Sequence, residues 1–452
     1  MKLTDLNRYG GVGASGHLVE LGGLRILIDA GLHPKKSGRD APLDLAFLES
    51  HAPDVVVLTH CHLDHLGALP LVTRAHPHAP VMLSVPSSMI AERLLRNSVN
   101  VMKREFEENP RGGPPLYDMA DVKRTVGKFA PMAFGQTRRL GVGSDEIDIT
   151  LFQAGHTAGA AAVELLHKHR SIFFSGDVQF DAQRLVGGAR FPVKRYDTIV
   201  METTRGATER VEGRSRESEV ARLVQTIART LEHGGSVLIP VFALGRMQEM
   251  LMILHEAYSH KLLRRVPIFA GGLGLDLCNY IDEITRKTGL THFNRSVIND
   301  LGVKPQPRKL VPGRPPGEPG IYVLSSGMLV ENTPSYVMAS GLLGRSENAI
   351  LFVGYSDPET PGGQLLATSK GERFVFDAID YQTTVKATVE RFELTGHADR
   401  EELIEFTLQA DPRAVVLNHG DPPARKWFAE RIAELAPKVS VLDPVPLRTY
   451  EV

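Results

Sequence analysis

Hydrophobic positions along this chain come in short runs that close on a polar residue. Leu24 to Ile28 closes on Asp29, Val55 to Leu58 on Thr59 and His60, and Ile172 to Phe174 on Ser175-Gly176-Asp177. Ile199 to Met201 closes on Glu202, Ile321 to Leu324 on Ser325-Ser326-Gly327, and Val415 to Leu417 on Asn418-His419-Gly420. Short β-branched runs bounded by turn formers predict buried strands. Polar groups gathered at strand ends are a common way to build a site. Between these runs the period changes. Val220, Leu223, Val224, Ile227 and Leu231 recur at helical spacing and predict a helix over 215–232 with a core-facing stripe, stopped by Gly234-Gly235. A helix is also predicted from Leu66 to Ala75, another from Asp399, whose Glu402 three residues on makes a capping-box pattern, and a third over 425–435. Strands alternating with helices give an α/β class with layered sheets.

The length, 452 residues, exceeds one ordinary domain and predicts two or three. With 42% hydrophobic and 23% charged residues, the chain has the composition of a soluble globular protein with a sizeable core. No apolar run approaches a transmembrane span, so no membrane association is expected, and Met1-Lys2-Leu3-Thr4-Asp5 lacks a signal-peptide core. Two cysteines, Cys61 and Cys278, exclude a disulfide framework and make a reducing cytoplasm the expected compartment. The net charge of −1 excludes nucleic-acid binding by bulk basic excess, so any such contact requires locally concentrated basic residues. Residues 109–115 read as a Pro/Gly-rich loop. The proline-rich stretch 304–320, which carries Lys304, Arg308, Lys309 and Arg314, reads either as a solvated loop or as a basic contact for a polyanion.

The chemistry concentrates at Thr59-His60-Cys61-His62-Leu63-Asp64-His65, three imidazoles and one carboxylate within six residues. On an extended chain His60 and His62 point the same way, whereas Asp64 and His65 fall where strand becomes helix and can turn toward a second centre. Cys61, between two ligands, is expected to face the opposite side. Imidazole nitrogen and carboxylate oxygen suit zinc or a similar borderline metal. Gln153-Ala154-Gly155-His156-Thr157-Ala158-Gly159 offers His156 as the third nitrogen for His60 and His62, Asp177 offers a bridging carboxylate, and His419 offers a partner for Asp64 and His65. The alternative for these last three is that they are satisfied polar core residues. Two neighbouring cations lower the pKa of a bridging water and stabilise charge on a transferring phosphoryl or acyl group. Glu202 and His397, the latter in Gly396-His397-Ala398-Asp399, could handle protons, although surface turns hold such residues routinely. Gly271-Gly272-Leu273-Gly274 has the wrong spacing for a dinucleotide fingerprint and reads as a loop after the strand Val266 to Ala270.

At this point the chain resembles the metallo-β-lactamase superfamily, and within it the cleavage-and-polyadenylation-factor-like bacterial members of the β-CASP nuclease branch, over nearly its whole length. His60-x-His62-x-Asp64-His65, His156, Asp177 and His419 look like the shared ligand set. Met201-Glu202-Thr203-Thr204-Arg205-Gly206 resembles motif A of the branch, Gly396-His397-Ala398-Asp399 motif B, and His419 motif C. Pro240-Val241-Phe242-Ala243-Leu244-Gly245-Arg246-Met247-Gln248-Glu249 and Ser325-Ser326-Gly327-Met328-Leu329 resemble further segments.

The resemblance implies a metallo-β-lactamase αββα sandwich, 1–204 and 385–452, with an inserted α/β β-CASP domain, 205–384, and a site in the cleft between them. It implies a zinc-dependent ribonuclease that uses two ions per chain for hydroxide attack on RNA phosphodiesters and leaves a 5′-phosphate and a 3′-hydroxyl. In that reading His60, His62 and His156 hold one zinc, Asp64, His65 and His419 the other, and Asp177 bridges. Asp29 orients a ligand, and Glu202 positions His397 as general acid. Arg246, Ser325, Ser326, Gly327 and Thr395 are candidate phosphate contacts. A histidine at motif C favours RNA over DNA, so single-stranded RNA is the expected partner, and a homodimer is compatible with it. The motif departs from the usual pattern at Thr203-Thr204-Arg205, where Ser-Thr-Tyr is common, and at Thr395, where serine is common; Thr203 and Thr395 keep the hydroxyls. No nucleic-acid-binding extension such as a KH domain is expected at either end. Two other classes remain: a thioester or lactam hydrolase on the same metals, and a non-catalytic RNA-processing scaffold.

Overall fold

Two seven-stranded sheets share one core in the first of two units into which the chain divides. That unit takes residues 1–182, 188–210 and 397–452; the second takes 183–187 and 211–396. The computed structural model describes residues 1–209, 211, 213–307 and 309–452, so Arg308 of the proline-rich stretch lies outside the described residues.

In the first sheet the order is Thr449–Glu451, Lys2–Asp5, His17–Leu21, Leu24–Ile28, Val55–Val57, Val81–Ser84 and Phe129–Met132. From Leu24–Ile28 onward its neighbours are parallel. The second sheet runs Ser440–Leu442, Ala414–Asn418, Thr198–Glu202, Arg170–Phe174, Ala161–His167, Ile147–Gln153 and Thr137–Leu140, parallel over its first four strands and antiparallel over the rest. Alternate residues Ile147, Ile149, Leu151, Val163, Leu165, Ile172 and Phe174 meet Val19, Ile26, Ile28, Val55 and Val57 of the first sheet in one core. The residues between them face outward: Ala162, Phe173, Ile199 and Met201 pack against Leu403, Ile404 and Phe406 of helix Arg400–Ala410 and against Phe428 and Ile432 of helix Pro422–Leu435. Strands covered on both faces must be apolar at every position, which is why Ile172 to Phe174 and Ile199 to Met201 lack the alternation that Ile147–Gln153 keeps. Each such fully buried Leu or Phe contributes about 1.5–3 kcal/mol, and truncating Phe173 to Ala would cost about 3–5 kcal/mol. Helices Leu69–Ala75, Val85–Glu108 and Met119–Val126 cover the outer face of the first sheet near Val81–Ser84 and Phe129–Met132, completing the αββα layering expected from the resemblance.

Every strand that closes on a candidate ligand ends at the same edge of this sandwich. Asp29 follows Leu24–Ile28, His60 follows Val55–Val57, His156 follows Ile147–Gln153, Asp177 follows Arg170–Phe174, and His419 follows Ala414–Asn418. The two sheets are joined there by a hydrogen bond from Ala161 N–H to Thr59 O, 2.9 Å.

The second unit is a six-stranded parallel sheet in the order Lys304–Pro305, Ile268–Ala270, Ile321–Leu324, Val237–Pro240, Ala349–Phe352 and Thr388–Arg391. Its helices include Arg216–Glu232, Arg246–Ser259 and Gly272–Thr288. This is an α/β domain inserted into the sandwich, as the resemblance implied.

Three elements differ from the sequence expectation. The helix expected from Leu66 to Ala75 is two, Leu63–Leu66 and Leu69–Ala75, because Pro70 lacks the N–H that would bond to Leu66 O. The last helix begins at Pro422 rather than 425, since Pro422 and Pro423 sit in a first turn where no intrahelical N–H bond is needed. Gly271 to Gly274 is not a loop: Gly271 caps the helix Gly272–Thr288. A Cβ on Gly274 would lie 2.4 Å from Met247 Sδ, so the glycine permits close approach to the helix Arg246–Ser259.

Candidate metal centre

The ligand loop changes backbone direction in the middle of its motif. Thr59 N–H and Oγ–H donate to Asp29 Oδ1 and Oδ2 at 2.7 and 2.8 Å, which anchors the chain as it leaves the strand. His60 and His62 follow on extended backbone, and His62 then caps the helical turn Leu63–Leu66. Asp64 and His65 ride on that turn and so aim at a different point from His60 and His62. Ser15 N–H holds the turn through Asp64 O at 2.8 Å. Cys61 faces the other way, buried, with its thiol 3.5 Å from Ser87 O.

The other ligand-bearing turns need unusual backbone. Gly155, before His156, has φ +72, and a Cβ there would lie 2.2 Å from Gln179 O. Gly176, before Asp177, has φ +56. Asp29 and His419 themselves adopt φ of 63 and 49, a region few non-glycine residues enter. Such conformations persist where surrounding contacts over-determine them, and they cluster at functional sites.

Two donor sets result. In one, His62 Nδ1 lies 3.2 Å from His60 Nε2 and 3.0 Å from His156 Nε2. Asp177 Oδ2 lies 3.6 Å from His60 Nε2 and 3.8 Å from His156 Nε2. In the other, His419 Nε2 is 3.3 Å from His65 Nε2 and 3.2 Å from Asp64 Oδ2. Asp177 Oδ1 reaches this second set, 3.6 Å from His65 Nε2 and 3.3 Å from His419 Nδ1. Two nitrogens on one tetrahedral zinc are about 3.3 Å apart, so both sets have the spacing of ligands around a single cation. Asp177 Oδ1 is buried with no hydrogen-bond partner among the described residues, a position that a cation would satisfy. The residues present therefore fit two metal ions that share Asp177.

A third group adjoins them. Glu202 is fully buried and its Oε2 accepts a hydrogen bond from His397 Nδ1 at 2.8 Å. Glu202 Oε1 accepts from Val178 N–H at 2.6 Å, one residue beyond Asp177. Thr204 Oγ lies 2.5 Å from Glu202 Oε2 and 3.1 Å from His419 Nδ1. Asp29 Oδ2 accepts from His65 Nδ1 at 2.7 Å, leaving Nε2 toward the donor set.

The electrostatics divide the histidines. Burial pushes His60 well below the ordinary imidazole range, and its charged neighbours push it further. Burial also opposes charge on His65, but Asp177, Asp29 and Asp64 outweigh it and raise His65 to about 10. His419 is raised against burial by Asp177 and Asp64. Asp64 is held well below the usual carboxylate range, against burial, by His65 and His419. Glu202 is likewise lowered against burial, chiefly by His397. In the metal-free protein a proton on His65 thus supplies positive charge beside the carboxylates, which favour charge on His419 in the same sense.

Asp29, His60, His62, Asp64, His65, His156, Asp177, Glu202, His397 and His419 come together within the first unit. The candidate phosphate contacts Arg246, Ser325, Ser326, Gly327 and Thr395 all lie in the second. Arg246 is buried there, its guanidinium donating to Leu394 O at 2.8 Å and to Gln183 Oε1. Thr395 O accepts from Arg216 at 3.0 Å. Ser326 Oγ accepts from Val330 N–H at 2.7 Å, and Ser326 O from Ser335 Oγ–H at 2.7 Å. Of the proline-rich stretch, Lys304 is paired with Glu318 at 2.7 Å. Thr59 and Thr204 escape a search for ligand types because a threonine at a strand end is ordinary; only their adjacency to His60 and Glu202 marks them.

The comparisons with known proteins agree with this geometry. Residues 9–216 match the metallo-beta-lactamase superfamily, 247–365 the Beta-Casp domain, and 383–442 the Zn-dependent metallo-hydrolase RNA specificity domain. The chain is 29% identical to the transcription termination factor FttA of Methanocaldococcus jannaschii, covering 94% of this chain and 68% of that one. Against the FttA of Pyrococcus abyssi it is 30% identical, covering 93% and 67%. Against Integrator complex subunit 11 of Danio rerio it is 27% identical, covering 96% and 71%. The chain thus spans about two thirds of the length of these relatives. Among solved structures, a protein of unknown function from Enterococcus faecalis V583 shares the fold, with TM-score 0.55 and 13% identity over 99% of each chain. No helix among the described residues is long and apolar enough to cross a membrane. From its paired donor sets to its matches along the sequence, the chain belongs to the β-CASP nuclease branch of the metallo-β-lactamase superfamily and is a metal-dependent hydrolase.

Proposed function

We propose that this protein is a zinc-dependent ribonuclease. The observation that carries the reading is the junction of the two donor sets with the Glu202–His397 pair: Asp177 groups with His60, His62 and His156 and also with Glu202 and His397, its Oδ1 lies 3.6 Å from His65 Nε2 and 3.3 Å from His419 Nδ1, and Val178, its neighbour, donates to Glu202. A lactam or thioester hydrolase needs the metals but has no use for a buried carboxylate–imidazole pair beside them. A scaffold has no use for either. The match of 383–442 to an RNA specificity domain supports RNA as the polymer, and relatives named for transcription termination and the Integrator complex support a transcript as the source.

His60, His62 and His156 would hold one zinc, and Asp64, His65 and His419 a second, with Asp177 between them. When bound, the two ions lower the pKa of a water held between them and stabilise negative charge on phosphorus. The protein residues do the rest. Asp29 orients His65 through Nδ1, and Glu202 orients His397 in the same way. With Nδ1 committed to Glu202, His397 delivers its proton from Nε2 to the departing 3′ oxygen. Water adds to phosphorus, the P–O3′ bond breaks, and the products are a 5′-phosphate and a 3′-hydroxyl.

End-labelled single-stranded RNA incubated with zinc-loaded protein tests this. Cleavage is expected, and Asp177→Ala and His397→Ala should abolish or severely reduce it. Intact RNA alongside hydrolysis of a thioester or lactam would overturn the nuclease reading. Early time points separate internal from end-directed cutting.

A further inference from the structure

Thr204 occupies the gap between the two histidine systems, and its hydroxyl has one proton to give. Three groups compete for it: Glu202 Oε2 at 2.5 Å, His419 O at 3.0 Å and His419 Nδ1 at 3.1 Å. A hydroxyl donates once and accepts through its lone pairs. Glu202 Oε2, as a carboxylate, and the His419 carbonyl can only accept. The imidazole nitrogen alone can donate to Oγ. The arrangement that uses the short contact to Glu202 has Thr204 Oγ–H pointing to Oε2 while His419 Nδ1–H points to Thr204 Oγ. The reverse, a bare Nδ1 that accepts Thr204 Oγ–H, gives up the 2.5 Å donation to Oε2 and leaves that buried oxygen with His397 Nδ1–H alone. Asp177 Oδ1 is also near Nδ1, at 3.3 Å, but makes no hydrogen bond with it.

We infer that Thr204 is a positioning residue that fixes the tautomer of His419 and ties it to the carboxylate orienting His397. A proton kept on Nδ1 leaves Nε2 as the ligating nitrogen, and Nε2 is the atom 3.2 Å from Asp64 Oδ2 and 3.3 Å from His65 Nε2. Glu202 Oε2 thereby receives His397 Nδ1–H directly and His419 Nδ1–H through one hydroxyl. The backbone keeps Thr204 in place: Thr203 N–H bonds to His419 O, and Thr203 Oγ–H donates to Asn418 O at 2.9 Å. Thr204 therefore does for His419 what Asp29 does for His65, through an uncharged group borrowed from the proton-transfer pair.

This inference rests on the two-ion reading above, and its test separates the two. Metal-stripped full-length protein is titrated with zinc chloride by calorimetry, as wild type, Thr204→Val and Thr204→Ser. Wild type should take two equivalents. Thr204→Val, isosteric but without the hydroxyl, should bind the second equivalent roughly 10–100-fold more weakly with the first unchanged, and Thr204→Ser should restore it. In ¹⁵N-imidazole spectra of the zinc form, His419 should show a protonated Nδ1 in wild type and Thr204→Ser, and a changed Nδ1 signal in Thr204→Val. Two equivalents bound equally tightly by wild type and Thr204→Val would overturn the role of Thr204 while leaving the two-ion site intact. A valine variant and a serine variant that both weaken the second equivalent would also overturn it, since a retained hydroxyl would then not suffice. Fewer than two equivalents in wild type would overturn the two-ion reading and this inference with it.

Discussion

His397 Nδ1 lies 2.8 Å from Glu202 Oε2 although they are 195 positions apart in the chain. Glu202 ends a central strand of the second sheet, and His397 is the first residue of the first unit after the insertion. The 194-residue excursion between them would be tolerated because loop-closure entropy grows only logarithmically with length.

Glu202→Gln keeps the size of that side chain and removes its charge. A proton-transfer group deprived of its orienting carboxylate is expected to lose about 10²–10⁴ in rate. Single-turnover cleavage of RNA should therefore slow by that factor, with bound zinc, measured by atomic emission, unchanged. Wild-type cleavage rates in the variant would remove Glu202 from the mechanism.

Asp29→Asn tests the orientation of His65. Asn tolerates the left-handed backbone at this position, with φ 63, so the fold should survive. The variant loses the carboxylate that accepts His65 Nδ1–H, and an ion at the proposed Asp64, His65 and His419 set should bind roughly 10–100-fold more weakly. Competition with a fluorescent chelator reads this out. An unchanged second affinity would mean that Asp29 serves Thr59 alone.

Zinc uptake should depend on pH with a definite sign. His65 is raised from 6.5 to about 10 in the metal-free protein. Its stabilising contribution to that form is complete below about 6.5 and is lost as pH rises through about 10. A cation can replace the proton only by expelling it, so affinity rises with pH. Each proton released weakens binding on the order of 100-fold between pH 8 and pH 6. Calorimetry in buffers of different ionisation enthalpy should detect that release. An affinity flat across this range would show that His65 is neutral before metal arrives.

Arg246 and Glu249 belong to a buried network in the second unit. Glu249 Oε1 accepts from Arg216 and from Arg184 N–H at 3.0 Å each, and Oε2 from Leu185 N–H at 2.7 Å. Glu249→Ala leaves a buried guanidinium unpaired and should cost about 3–5 kcal/mol of stability in denaturant unfolding. Arg246→Ala leaves Leu394 O without its guanidinium donor and removes one of the two arginines that donate to Gln183 Oε1, and should cost about 1–3 kcal/mol. If Arg246 instead acts on substrate phosphate, its alanine variant will raise KM for RNA and leave the unfolding midpoint in place.

Much of this was readable along the chain. The strand exits at Asp29, His60, Asp177, Glu202 and His419 follow from apolar runs buried on both faces, which leave only their ends for polar residues. The capping box at Asp399 and Glu402 and the stripe of Arg216–Glu232 are local patterns, and both formed as read. Local chemistry misled where a residue's partner was distant. Gly271 to Gly274 has loop composition, yet it starts a helix, with Gly274 where a side chain would meet Met247. For Arg246, a candidate phosphate contact, the structure adds bonds that no local pattern records, to Leu394 O and Gln183 Oε1.

By itself the sequence determined the residue types at the centre, their placement at strand ends and the membership of the chain in its superfamily. Those properties depend on short-range spacing and on which side chains can be buried. Only the tertiary structure decided the distances within each donor set, that Asp177 Oδ1 makes no hydrogen bond among the described residues, and that Thr204 stands between Glu202 and His419. The reason is physical: hydrogen bonds and ligand spacing are set to within tenths of an ångström by strands from both sheets. No pattern along one strand records the position of a side chain that arrives 215 residues later.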